Sequence, residues 1–390
     1  MLNRRLLRIK VMQAVFSATQ AERALQEVAR EQIAARFEHD LNSMVPYNAE
    51  LEEGHRRLAT LIFDENVGNE RFTLSEPAPA VVSEAALDAF KYYKVQVAQE
   101  RERVKQHLPA EAESLAGRYL NLLRMLTWLP RYVREDDEGR ANNWVKAEPV
   151  PRTELKLMDN YFIIALTESK LLETALTGVS VPEGARDFIR RFYRDVLTAD
   201  PLYIEYIKTR EATREEEYKI MRHIVKNLLF KSEVATDWLE EQDLYWAENK
   251  DILQGMVLKT LKDIQEKGNE TELLRLSPDW EEDKAFAERL FKETVAGTDY
   301  FEKLIVEKST NWESGRVALT DRVILMMALA EMMNFSSIPV KVSINEYIEL
   351  SREYSTPDSR RYINGMLDAL SKQLIEEGRI KKSGRGLIAG

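Results

Sequence analysis

Eight consecutive apolar residues, Val323 to Ala330, stand between Arg322 and Glu331, and they leave the chain few ways to fold around them. A helix that is apolar on every side has no face to give to water, so other elements must surround it at the centre of a bundle. This is the longest wholly apolar run in the chain, and it falls far short of the roughly 18 residues a membrane span needs. The surroundings are of one kind. Only 15 of the 390 residues are Gly and 12 are Pro, too few for frequent tight turns and hairpins. Glu, Lys, Arg, Leu and Ala, all good helix formers, dominate instead. The expected fold class is all-α, with no membrane-spanning segment.

Helical periodicity predicts elements over about 3–40, 48–64, 84–107, 109–129, 152–176, 185–197, 212–242 and 250–267, then 282–309, 319–335, 342–354 and 357–378. Loops are expected at Leu74–Val82, at Arg134–Arg152, where an acidic run leads to Pro149-Val150-Pro151, and at Gly268–Pro278. At the N-terminus Arg4, Arg5, Arg8 and Lys10 precede Val11–Ala18, a loose likeness to a targeting peptide. Gln13, Ser17, Thr19 and Gln20 interrupt that stretch and the helical pattern runs on, so it reads as the first helix.

Net charge is −10, which disfavours indiscriminate nucleic-acid binding, yet the first ten residues carry four cations and no anion. The pattern suggests one localised anion site. No cysteine is present, which excludes a disulfide framework, a thiolate zinc site and a cysteine nucleophile, and fits a reducing cytoplasm. The four histidines, His39, His55, His107 and His223, have no metal-ligand spacing. The sequence also holds no phosphate-cradling glycine loop, nucleophile elbow or dinucleotide fingerprint. The expectation is therefore no enzyme, no metal and no cofactor.

The last hundred residues carry the most local signal. Thr320 is placed to cap the helix containing the apolar run, with Asp321 against the positive end of its dipole. Ser343-Ile344-Asn345-Glu346 has the form of a capping box. Thr356, Pro357 and Asp358 read as cap, first helical residue and dipole partner of a final helix with a core stripe of Ile363, Met366, Leu367, Leu370 and Leu374. Gly365, inside that helix, reads as a site of close helix approach.

Two strings in this region are specific. Ile338-Pro339-Val340-Lys341-Val342-Ser343-Ile344-Asn345-Glu346-Tyr347-Ile348-Glu349-Leu350 and Asp358-Ser359-Arg360-Arg361-Tyr362-Ile363-Asn364-Gly365-Met366-Leu367-Asp368 resemble, in order and spacing, the closing motifs of the NusB family of bacterial transcription antitermination factors. The opening Asn3–Phe16 is similar to that family's arginine-rich first helix. The resemblance covers about residues 1–20 and 283–378 and implies two packed three-helix bundles. The resulting layout is a first helix at 1–20, a helical insertion in two parts at 21–150 and 151–280, the NusB-like domain at 281–380 and a flexible basic tail at 381–390.

The resemblance further implies binding to the single-stranded boxA element of nascent ribosomal-operon RNA, together with the ribosomal protein NusE, in the antitermination complex on RNA polymerase. Single-stranded RNA needs cations for phosphates and rings for bases. Carried over residue by residue, the RNA contacts are Arg4, Arg5, Arg8, Phe16, Lys341, Arg361 and Tyr362, with Asp321 and Asp358 on the RNA or partner surface. At 100° per residue Arg5 and Phe16 lie nearly in line, three turns apart. Each role has a plainer counterpart: bundle packing for Phe16 and Tyr362, a loop cap for Lys341, helix starts for the two aspartates. Leu6 and Phe16 stand where the family has arginine and tyrosine. The alternative function is a helical protein–protein scaffold of the transcription or ribosome-assembly machinery, without RNA.

Overall fold

The computed structural model describes residues 4–39, 48–142, 154–209, 211–309 and 317–387, the side chains at 131–133, 135–142, 154, 155 and 269 excepted. Among these residues there are fifteen α-helices and no strand: α1 (Arg4–Arg36), α2 (Ala49–Asn66), α3 (Ala80–Asn142), α4 (Tyr161–Glu168), α5 (Lys170–Leu176), α6 (Ala185–Arg191), α7 (Pro201–Lys208) and α8 (Arg214–His223). The series continues with α9 (Glu233–Gln242), α10 (Trp246–Lys267), α11 (Trp280–Ala296), α12 (Thr298–Ser309), α13 (Leu319–Asn334), α14 (Val340–Tyr354) and α15 (Pro357–Glu376). No described helix is long and apolar enough to cross a membrane.

The chain divides into two compact units. One comprises residues 7–110 and 284–390. In its C-terminal part α13 is the hub, packed by α12, α14 and α15. Every residue from Val323 to Met332 is buried, which is what the apolar run requires. α15 begins as its sequence dictates: the Thr356 side chain accepts from the Ser359 N–H, Pro357 opens the helix, and the predicted stripe is buried. In its N-terminal part α1, α2 and the first half of α3 share a core that includes Ala29, Ile33, Ala59, Phe63, Ala86 and Tyr93. Asn66 fastens the loop after α2: its amide donates to the carbonyls of Ile62 and Thr73, and its Oδ1 accepts from the Thr73 N–H at 2.8 Å.

The other unit comprises residues 1–6 and 111–283. Here α10 packs against α4, α8 and α9, and the aromatic pairs Phe188–Trp238 and Phe230–Trp246 stack with centroids 4.3 and 5.4 Å apart. Residues 192–197 and 224–229 continue α6 and α8 with wider, π-type turns. Gly268 ends α10 at φ +64°, where a Cβ would meet the Tyr161 hydroxyl at 2.9 Å; glycine takes that conformation without steric cost.

Several local expectations are corrected. α3 is one helix straight through Pro109, not two. Proline forfeits one backbone hydrogen bond, but Leu108, Ala112, Leu115 and Tyr119 are buried on both sides of it and carry the helix across. α3 also runs on through the expected loop at Arg134 as far as Asn142; the rest of that loop, 143–153, lies outside the described residues. The expected helix 152–176 is three short pieces, because the side chains of Asn160 and Ser169 each accept backbone N–H groups and restart the helix. α7 was not expected, although Asp200 caps it and Pro201 opens it. α13 is capped at Ala318, not Thr320. α14 starts at Val340, so Ser343 lies inside the helix and forms no capping box.

The tail expected to be flexible is tied down as far as Leu387. Ile380 is buried, the Ser383 N–H donates to the Ser336 carbonyl at 3.0 Å, and Lys382 Nζ donates to the Phe335 carbonyl at 2.9 Å. Gly386 lies so close that an added Cβ would sit 1.9 Å from the Ser336 oxygen.

Candidate functional site

Within the unit of residues 7–110 and 284–390, α1 is tied to the closing helices by a buried polar cluster. Arg8, 3% exposed, directs Nε and Nη2 at the two carboxylate oxygens of Glu331, 2.8 and 2.9 Å away and 323 residues on in sequence. Glu331 has no exposed surface; it also accepts from Ser343 Oγ at 2.7 Å and from the Tyr347 hydroxyl at 3.1 Å. Glu346 lies 3.6 Å from Arg8 Nη1, and the Phe286 and Tyr347 rings lie 5.4 and 5.9 Å from the guanidinium. Each Glu331 oxygen thus has two donors, the condition under which a buried pair can recover its desolvation. Burial works against the charge of Arg8, but the hydrogen bonds and charge of Glu331 outweigh it and hold the guanidinium more firmly protonated than usual. Tyr347 is pushed well above the ordinary phenol range, by burial first and by the Glu331 carboxylate second.

This cluster removes Arg8 from the predicted cationic surface. A bidentate guanidinium enclosed by a carboxylate and two rings cannot also meet a phosphate, so its role is internal. Asp321 is likewise internal: it is 3% exposed and accepts a hydrogen bond from Ser355 Oγ, just before the α15 cap.

The remaining predicted residues reach the surface in different degrees. Arg361 and Asp358, in the first turns of α15, are exposed, and so is Lys341 in the first turn of α14. Tyr362 is half-buried, with its hydroxyl 2.8 Å from Ser309 Oγ at the end of α12. Ser309 spends its only proton on the Ile305 carbonyl at 2.6 Å, so the tyrosine is the donor. That bond fixes the outer end of the ring. Phe16 is half-buried, two turns beyond Arg8 on α1. In the other unit Arg4 sits between Glu282 at 2.5 Å and Asp283 at 3.5 Å, which partly offsets its charge, while Arg5 is half-buried.

Glu331, Ser343 and Tyr347 were not anticipated as a set. The signal was available in part: a lone carboxylate at the end of a run that must be buried demands a cation, and Arg8 and Lys10 are cations between the apolar residues Leu6, Leu7, Ile9 and Val11. Among the described residues no group of three or more His, Asp or Glu side chains could hold a metal ion.

Comparison with known proteins matches residues 219–372 to the model of the NusB family. The match opens in α8, well ahead of residue 281. The chain is 44% identical over 103 residues to the transcription antitermination protein NusB of Salinibacter ruber, an alignment covering 26% of this chain and 64% of that protein. It is 36% identical over 105 residues to the protein of the same name from Chloroherpeton thalassium, covering 27% and 50%. The corresponding protein of Koribacter versatilis is 41% identical over 103 residues, covering 26% and 70%. The chain thus spans half to 70% of the length of these relatives. No solved structure matches it. With a family model over its last helices and more than two thirds of one relative aligned at 41% identity, the chain belongs to the NusB family.

Proposed function

We propose that this chain is a cytoplasmic transcription antitermination factor with no catalysis of its own. It binds boxA-type single-stranded RNA of nascent ribosomal-operon transcripts together with a NusE-type ribosomal protein, in the antitermination complex on RNA polymerase. The observation that supports this most is the Arg8–Glu331 pair. It anchors the opening helix to the closing cassette, so that the helix bearing Phe16 and the helix bearing Arg361 and Tyr362 belong to one unit. The chemistry suits unstacked RNA: rings at Phe16 and Tyr362 for bases, cations at Arg5, Lys341 and Arg361 for phosphates. Arg4, with two carboxylate neighbours, is the weaker cation, and Arg8 and Asp321 serve the interior.

Filter binding of a boxA-like RNA over a range of salt, with and without the ribosomal protein, tests this. Alanine at Arg5, Lys341 or Arg361 is expected to flatten the dependence of log affinity on log salt by about 0.7 for each phosphate lost. Alanine at Phe16 or Tyr362 is expected to cost about 1–3 kcal/mol of binding, with little change of slope. If none of the five changes weakens binding, the protein-scaffold reading replaces this one.

A further inference from the structure

Beside the strap formed by residues 379–387, α14 and α15 leave an open groove of about 840 Å³. Its floor is aliphatic: Pro339 just before α14, Val340 and Ile344 from α14, Ile375 from α15, and Ile380 and Leu387 from the strap. Ile375 and Leu387 are 51% and 70% exposed, a high cost in water for two large side chains on adjoining walls. Gly365 lines the same groove. A glycine inside a helix costs roughly 1 kcal/mol against alanine. At this position the glycine leaves that part of the groove lining without a side chain.

The rim is cationic. Lys341 lines the groove, and Lys381 and Arg385 stand exposed on the strap that forms one wall; Lys382 also lines it, but its Nζ is occupied by the Phe335 carbonyl at 2.9 Å. The carboxylate in the lining, Asp368, is paired with Lys372 at 2.8 Å. The strap is held in place by its backbone bond to Ser336 and by the tight seat of Gly386. The backbone that carries Lys381 and Arg385 is therefore held in place.

We propose that this groove is a docking site for an acidic amphipathic segment of a partner protein, a helix whose apolar side chains enter the groove while its carboxylates meet the lysine and arginine rim. The floor decides the class of partner. Bases are held by stacking on rings, and among the described residues no aromatic side chain lines the groove; aliphatic floors take leucine-type anchors spaced along one helix face. The charge at the rim then selects acidic over basic segments and steers their approach. The site is separate from the proposed RNA contacts apart from Lys341, which touches both, so the two readings can fail independently.

The test uses the full-length chain and two labelled synthetic peptides with leucines at i, i+3 and i+7, one bearing glutamates on its other face and one bearing lysines. Fluorescence anisotropy should show saturable binding of the glutamate peptide alone, weakening as salt rises. K381E combined with R385E is expected to lower that affinity about tenfold. I375E, which puts a charge on the apolar floor at a half-exposed position, is expected to abolish binding. G365L fills the groove while favouring the helix, so loss of binding with unchanged far-ultraviolet circular dichroism would not be a folding defect. The proposal is overturned if the glutamate peptide does not bind, if the lysine peptide binds equally, or if I375E and G365L leave affinity unchanged. Displacement of the peptide by a boxA-like RNA that itself loses affinity in I375E would assign the groove to nucleic acid instead.

Discussion

Replacing Arg8 by methionine removes a cation from a site that is 3% exposed and leaves Glu331, with no exposed surface, facing two neutral hydroxyls. Breaking a buried pair by deleting one partner costs about 3–5 kcal/mol, because the other charge stays desolvated and uncompensated. R8M is therefore expected to destabilise its unit by about that amount, and E331L by a similar amount. The double variant behaves differently. With both charges gone, the lost electrostatics and the saved desolvation largely cancel. What remains is the unpaired state of the Ser343 and Tyr347 hydroxyls, about 1 kcal/mol each. R8M/E331L should thus be less destabilised than either single variant. Guanidinium denaturation followed by far-ultraviolet circular dichroism measures all four corners of the cycle. Additive losses in the double variant, or a loss below about 1 kcal/mol in R8M, would refute the buried pair and return Arg8 to the surface. An RNA salt slope unchanged in folded R8M/E331L would be the matching binding result, since an internal arginine releases no counterions.

Two further outcomes follow from the same geometry. Gly386→Ala places a methyl group against the Ser336 carbonyl; it should undock the strap, so that limited trypsin digestion cuts faster after Lys381, Lys382 and Arg385 while the helical content is retained. The raised proton affinity of Tyr347 gives stability that is fully present below about pH 10, the unfolded phenol's value, and is lost as pH rises toward the folded one. Y347F should therefore flatten the alkaline limb of a stability–pH profile above about pH 10; an identical limb in the variant would assign the loss to other groups.

How legible the molecule is in its sequence depends on which question a residue answers locally. The start of α15 is decided within four residues: Thr356 accepts the Ser359 N–H and Pro357 follows it. The central helix is equally legible, because eight apolar residues in a row admit few environments. Ser343 shows where such reading stops. Ser343 and Glu346 match a capping box, but Pro339 already sets the start of α14 one turn earlier, and the hydroxyl turns inward to Glu331. Proline at 109 is a local helix breaker, yet the apolar side chains around it pack on both sides and the helix persists. Arg8 is the clearest case for function. Spacing shows that Arg4, Arg5 and Arg8 fall on related faces of α1, but it cannot show that one of them turns toward a carboxylate more than 300 residues away. Periodicity identifies buried faces; it does not name what covers them.

The separation between Arg8 and Glu331 has a consequence for biosynthesis. The two residues lie 323 positions apart, so at ribosomal rates of about 5–20 residues per second the arginine is made roughly 16–65 s before its carboxylate. During that interval Leu7, Val11 and Val15 also lack the C-terminal helices of their unit. The C-terminal half of α1 has a nearer alternative: its core partners on α2 and the first half of α3 are complete by Val97. The nascent chain can therefore secure α1 from its far end first, and close the buried ion pair only when α13 emerges.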